Sequence, residues 1–276
     1  MLTIFSIPKA FTGHIATIQL NAIQSWTLLK PDCEIVLCGD EIGIKEVATE
    51  FKVRHLPDII CNEYGTPLLN SAFDEVTKIA KYSYLCYVNA DIILLDDFLA
   101  AVQKIRFPEF LMVGKRHNID LEKRWDFGQP EWCSRLRKLA LSEGQIASHF
   151  FIDYFAFTPT RSLERLPPFA VGRPRWDNWF VYHVRSLGMP VIDASGAVTA
   201  IHKNHDYSHI PDKNSSSLDT SEAQWEGPEA RKNRELSAQS IGMVHQFTIL
   251  DATHIMTSRW LLPAFSMPHI RKRWHS

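Results

Sequence analysis

Apolar positions along the first hundred residues alternate between short β-rich runs and stretches of helical spacing. Leu2 to Ile7 is a strand-like run that stops at Pro8-Lys9. Ile15 to Leu29 then carries apolar residues at 15, 18, 20, 23, 26 and 28/29, a helical stripe with Pro31 beyond its end. Glu34 to Cys38 predicts a strand ending at Gly39-Asp40, Asp40 to Phe51 a helix, and Val53 to Leu56 a third strand. Pro67 to Ala80 has one apolar helical face. Tyr82 to Val88 follows as a fourth strand, too short for a bilayer span, and runs into Asn89-Ala90-Asp91. Such alternation predicts an α/β fold with right-handed crossovers and a mostly parallel sheet. The strand ends Ile7 to Lys9, Gly39-Asp40, Leu56 to Asp58 and Asn89 to Asp91 should share one rim, where open α/β sheets bind ligands.

The second half is less regular. A helix should end near Arg106, and Phe110 to Gly114 predicts a strand running into the basic group Lys115-Arg116-His117. Residues 118 to 148 mix charges with Trp125 and Trp132 and include an amphipathic helix over Trp132 to Leu141. They read as a cover for the site or as aromatic anchors in the core. His149 to Phe157 predicts a strand with Asp153 among aromatics, and a carboxylate buried there needs a backbone or Arg partner. Phe180, Val181, Val184 and Leu187 give a helix that Gly188 stops, with Asp177 at or near its N-cap. Strands over Met189 to Ala194 and Ala197 to Ile201 follow, and the second delivers His202, His205 and His209. Glu222 to Gln239 is charged and helical in flavour. It reads as a solvated face or as a segment folding over a bound ligand.

Composition narrows the function. The 276 residues can bury a large core, and 30 Lys plus Arg against 31 Asp plus Glu gives no bulk attraction for nucleic acid. The five cysteines are odd in number and form no Cys-x-x-Cys; Cys33, Cys38 and Cys86 lie in or beside strand-like runs. That usage suits reduced thiols and predicts a cytoplasmic protein. The first residues lack a basic n-region and read as a strand rather than a signal peptide. At the other end, Ile270-Arg-Lys-Arg-Trp274 reads as a surface tail, or as weak peripheral attachment to the anionic inner face of a membrane.

No Gly-x-Gly-x-x-Gly and no Walker-type loop is present, so nucleotide phosphates on this rim would need another holder, most simply a divalent cation. Asp91, at the end of an apolar strand, is the candidate first ligand. The histidine cluster is the candidate second source, since its spacing matches no zinc finger. A mixed carboxylate and imidazole set favours Mn²⁺ over Mg²⁺.

A β-α-β half ended by an Asp-containing triplet after a hydrophobic strand resembles the nucleotide-binding half of GT-A glycosyltransferases. Their signature there is Asp-x-Asp, and this chain has Asn89-Ala90-Asp91, so the first carboxylate is an amide. The resemblance covers roughly residues 1 to 210. It implies a GT-A-like, Rossmann-type, mostly parallel sheet flanked by helices, with a nucleotide-binding half over about 1–117 and an acceptor half over about 118–210. Residues 211–276 would be a helical or loop extension packed on that domain. It also implies transfer of a sugar, from a UDP-sugar first of all, to a carbohydrate or other hydroxyl acceptor.

On that resemblance Asp91 and one C-terminal histidine, His202 or else His205, would hold Mn²⁺ or Mg²⁺. Ile7, Pro8, Lys9, Asp40, Asn62, Glu63, Asn89 and Ala90 would face the donor, and Arg116 would neutralise its phosphates. Asp177 looks like the base of the inverting members, flanked by Trp176 and Trp179 able to hold a sugar; in a retaining enzyme it would only orient the acceptor, and a plain helix cap is the other reading. Helix-dipole stabilisation there predicts an ionised, weakly basic carboxylate. Two other classes stay open: a nucleotidyltransferase, against which the poor Phe5–Gly13 loop argues, and a non-catalytic glycan or partner binder using Trp125, Trp132, Trp176 and Trp179.

Overall fold

The computed structural model describes residues 1–121, 123–148, 150–163, 166–203 and 226–240. The chain runs β1 (Leu2–Ser6), α1 (Gly13–Thr27), β2 (Glu34–Cys38), α2 (Ile44–Phe51), β3 (Arg54–Leu56), α3 (Leu69–Ile79) and β4 (Tyr84–Val88). It continues through β5 (Ile92–Ile93), α4 (Asp96–Gln103), β6 (Leu111–Val113), β7 (Arg116–Ile119), α5 (Trp132–Glu143) and β8 (Gln145–Ile146). Last come β9 (Tyr154–Phe157), α6 (Trp176–Ser186), β10 (Val191–Asp193), β11 (Ala200–Lys203) and α7 (Pro228–Ser240).

Seven strands form the main sheet in the order β10-β6-β9-β4-β1-β2-β3. Every pairing is parallel except those of β9, which runs antiparallel to both β4 and β6. Both faces are covered, which is why the strands are apolar throughout. Leu2 and Ile4 point to the side packed by Ile23, Trp26 and Phe98. Phe5 points to the other, where Phe73 is the hub of an aromatic cluster. Its ring centroid lies 4.9 Å from Phe5, 5.5 Å from Tyr87, 5.6 Å from Phe157 and 5.9 Å from Phe180.

A second sheet, β5-β11-β7-β8, sits at the rim over its own small core of Leu95, Phe127, Leu136 and Ala140. Its register positions the site. β11 pairs antiparallel with β5, setting His202 opposite Ile92, and parallel with β7, setting the same His202 opposite Asn118.

Three local expectations change. The helix anticipated from Asp40 begins only at Ile44, after Gly43 takes a left-handed φ of 88°. Lys115-Arg116-His117 is not a loop after a strand end, because Arg116 opens β7. Gly114 makes the break possible: a Cβ there would collide with the Tyr154 hydroxyl. The strand expected from His149 shrinks to Tyr154–Phe157, and Asp153 stands just ahead of it.

Candidate active site

The Asp91 turn is fixed from several sides. Ser6 Oγ donates to Val88 O at 2.6 Å, and Asn89 N donates to Asp153 O at 2.9 Å. Ile92 N closes the turn onto Asn89 O at 3.1 Å. Beyond it, Trp26 Nε1 donates to Ile92 O at 2.9 Å, and Leu94 N to Ser25 Oγ at 3.1 Å. The buried polar positions of α1 therefore clamp the segment that presents the carboxylate. The pairing of β11 with β5 then brings His202 to it, with Nε2 3.5 Å from Asp91 Oδ2. The two candidate ligands, 111 positions apart in sequence, converge.

They open into a cleft of about 440 Å³. Ile7, Lys9, Asn89, Ala90, Asp91, Arg116, Asp177 and His202 all line it. Pro8 is buried and does not, although its neighbours do. Asp40 and Glu63 are exposed and do not line it either. Asn62 holds its own turn, accepting from Tyr64 N and Thr66 N at 3.0 Å, and donates to Glu229 Oε1 at 2.7 Å. His205 and the Ile270–Trp274 tail lie outside the described residues.

Arg116 is engaged within the protein. Its Nη1 donates to Asp153 Oδ2 at 2.7 Å, its Nε donates to Asn118 Oδ1 at 3.0 Å, and Phe151 stacks on it with the ring centroid 5.3 Å away. Asp153 thus has the arginine partner its burial demands, and it also accepts from Asn89 Nδ2 at 2.7 Å.

Asp177 stands near the helix start, as anticipated, but it does not cap the helix and is no weak base. The N-cap of α6 is Arg175, held at a left-handed φ of 88°, and no side chain caps the helix; Asp177 lies within the first turn. Its carboxyl is not held low. Burial first, then the negative charge of Asp153, push it up to about 6, against the opposing effect of the Asn178 backbone N–H and side-chain amide. Desolvation outweighs the helix N-terminus here, and it leaves a stronger base than the dipole alone would.

Trp179 does not flank the cleft. It is buried against Phe169 and stacks on His183 at 4.7 Å, whereas Trp176 reaches the cleft wall while packing edge-on against Tyr87.

Several lining or supporting residues gave no signal in sequence. Gln19 ties down the end of β1, accepting from Lys9 N at 2.7 Å and donating to Lys9 O at 2.8 Å. Arg173, on the wall leading to α6, ion-pairs with Glu229 of α7, its Nε 3.0 Å from Oε2. Asn233 of the same helix accepts from Ala170 N at 2.9 Å and donates back to Ala170 O at 3.1 Å. The charged segment around 226–240 is therefore a strap on the wall that leads to α6, with Glu229 and Asn233 buried and Arg231 and Lys232 exposed.

The chain resembles solved structures over nearly its whole length. S. aureus TarS residues 1–349, in complex with UDP-GlcNAc, matches with a TM-score of 0.57 at 11% identity, over 94% of this chain and 71% of that one. GalNAc-T7 with UDP, GalNAc and Mn²⁺ matches with a TM-score of 0.51 at 14% identity, over 92% of this chain and 54% of that one. The fold is GT-A. No protein-family model and no curated protein sequence matches the chain. Within the GT-A architecture the cleft lies at the carboxyl ends of β1 and β4, where the strand order of an open sheet places its ligand.

Among the described residues no third His, Cys, Asp or Glu joins Asp91 and His202 in a ready-made metal cage. The donor set still suits a divalent cation: one imidazole and one carboxylate meet at the mouth of a cleft, leaving positions for phosphate oxygens. No helix among the described residues is long and apolar enough to cross a membrane.

Proposed function

We propose that this protein is an inverting glycosyltransferase that moves a sugar from a nucleoside diphosphate sugar, a UDP-sugar first of all, to a hydroxyl acceptor in glycan or polysaccharide synthesis. The observation that carries the reading is the convergence of Asp91 and His202 on one side of a cleft that has the raised carboxyl of Asp177 in its wall. The UDP-GlcNAc of TarS and the UDP, GalNAc and Mn²⁺ of GalNAc-T7 are the chemistry this cleft would have to accommodate.

Asp91 and His202 would hold Mn²⁺ or Mg²⁺, with His205 as a further candidate ligand; the cation supplies Lewis-acid stabilisation of the departing diphosphate. Ile7, Lys9, Asn89 and Ala90 would border the nucleotide. Asp177 accepts the acceptor hydroxyl's proton as the new bond to the anomeric carbon forms and the old bond to the diphosphate oxygen breaks, which inverts that carbon. A carboxyl raised to about 6 is ionised at neutral pH, yet more basic than an ordinary aspartate. Arg116, already paired with Asp153, orients the donor side rather than serving as a free counter-charge to phosphate.

Of the alternative readings, a glycan-binding module resting on four tryptophans is disfavoured, because Trp176 and Trp179 are buried in the core. The direct test is a screen of sugar nucleotides for hydrolysis in the presence of Mn²⁺. Release of nucleoside diphosphate from one donor class is expected. Release of pyrophosphate from a nucleoside triphosphate and a sugar phosphate would assign a nucleotidyltransferase instead, and turnover of neither would remove the enzyme reading.

A further inference from the structure

We infer that Asn118 is a positioning residue that sets the tautomer of His202, as the last link of a hydrogen-bonded chain running Asn89, Asp153, Arg116, Asn118, His202. The inference rests on the reading that Asp91 and His202 share a cation. It goes beyond that reading by assigning roles to side chains that do not touch the ion.

The donor logic fixes the Asn118 amide and the Nδ1 proton of the ring. Arginine only donates, so the Asn118 atom 3.0 Å from Arg116 Nε is the carbonyl oxygen and not the amide nitrogen. That same oxygen lies 3.1 Å from His202 Nδ1. Since an amide oxygen only accepts, His202 Nδ1 carries a proton. In the neutral ring the other nitrogen, Nε2, then presents its lone pair, and it is Nε2 that stands 3.5 Å from the Asp91 carboxylate. On the shared-cation reading, that lone pair is the one a divalent cation would take.

Arg116 can hold Asn118 in this orientation because it is itself pinned by Asp153 and stacked under Phe151. Asp153 in turn takes the amide of Asn89 on its second oxygen. The chain also gives a reason for the amide at 89. A carboxylate in its place would face Asp153 across the distance that now holds a 2.7 Å hydrogen bond, and both acids would compete for Arg116.

Nitrogen-15 histidine correlation spectra of the full chain test this without turnover, at about pH 8, where an unperturbed imidazole is neutral. The His202 signal, assigned by its loss in His202→Gln, is expected to show a protonated Nδ1 before any metal is added. A ring protonated at Nε2 alone in the wild-type chain would overturn the proposal, whether or not any variant folds. Asn118→Leu should release the tautomer and weaken Mn²⁺ binding in the presence of UDP by about 10- to 100-fold. Asn118→Asp, which keeps an acceptor for both neighbours, should retain the wild-type tautomer. A released tautomer with unchanged Mn²⁺ affinity would also overturn the proposal. If the wild-type chain bound no Mn²⁺ at all, the shared-cation reading would fall and the proposal with it, whereas the spectrum without metal would separately report the hydrogen-bond chain.

Discussion

The two walls of the cleft handle a buried carboxylate in opposite ways. On the donor side Asp153 is matched with Arg116 and Asn89, so its charge is spent on holding other side chains in place. On the acceptor side no cation among the described residues pairs with Asp177, and desolvation raises its carboxyl to about 6. The first arrangement gives rigidity and the second gives basicity. On the function proposed above, the difference would separate a residue that orients the donor from one that takes a proton, although both acids border the same space. The walls are also supported differently. The donor wall is stitched by strand register and by α1, the acceptor wall by the ion pair and amide clamp from α7.

The sharpest way to break this division is to remove each side's key acid and see which property fails. Asp91→Ala should abolish Mn²⁺-dependent UDP binding measured by calorimetry and lower turnover by about 10³-fold or more, since metal stabilisation of a leaving group is worth several kcal/mol. Asp177→Asn should leave that binding intact and reduce kcat by about 10²- to 10⁴-fold, as expected for loss of a general base. Equal loss of UDP binding in both variants would mean the walls are not separate.

The pH dependence sharpens the comparison. Asp177 must be ionised to accept a proton, so kcat/KM should rise with pH through about 6, and the limb should vanish in Asp177→Asn. The same shift acts on stability. Because the folded carboxyl holds its proton more tightly than the unfolded one, its contribution to stability is lost as pH rises from the ordinary carboxylate range through about 6. Urea midpoints taken across that window should fall less with rising pH in Asp177→Asn than in the wild type.

Smaller effects are expected from the strap. Glu229→Gln weakens the ion pair with Arg173 while keeping an acceptor for Asn62. It should cost about 1–3 kcal/mol in urea unfolding and raise the acceptor KM several-fold, with donor binding unchanged. Asn89→Asp gives the triplet the first carboxylate of the Asp-x-Asp signature but sets it against Asp153. No gain in Mn²⁺ affinity is expected, and a gain would show that Asp153 does not oppose a second acid at position 89.

Much of the fold was legible because its strands are buried on both faces and its helices carry single apolar stripes. β2 falls on the anticipated residues, and α1, α3, α5 and α6 deviate only at their ends. Asp91 and His202 were visible for a simpler reason: both stand near strand ends, and each residue type has few uses there. What joins them was not visible. Asn118 meets His202 only because β7 and β11 pair in one parallel register, and no local pattern in an N-I-D stretch announces it. The basicity of Asp177 was misjudged because the helix start is readable in sequence, while the desolvation that outweighs it comes from neighbouring elements. Glu229 and Asn233 sit in a helix so polar that it reads as solvated, yet both side chains turn inward.

Titration of UDP into the protein, with and without Mn²⁺, and again in His202→Gln, tests the central claim most directly. The account predicts saturable binding that needs the cation and is strongly weakened by loss of the imidazole. Binding that is equally tight without metal, or indifferent to His202, would contradict it.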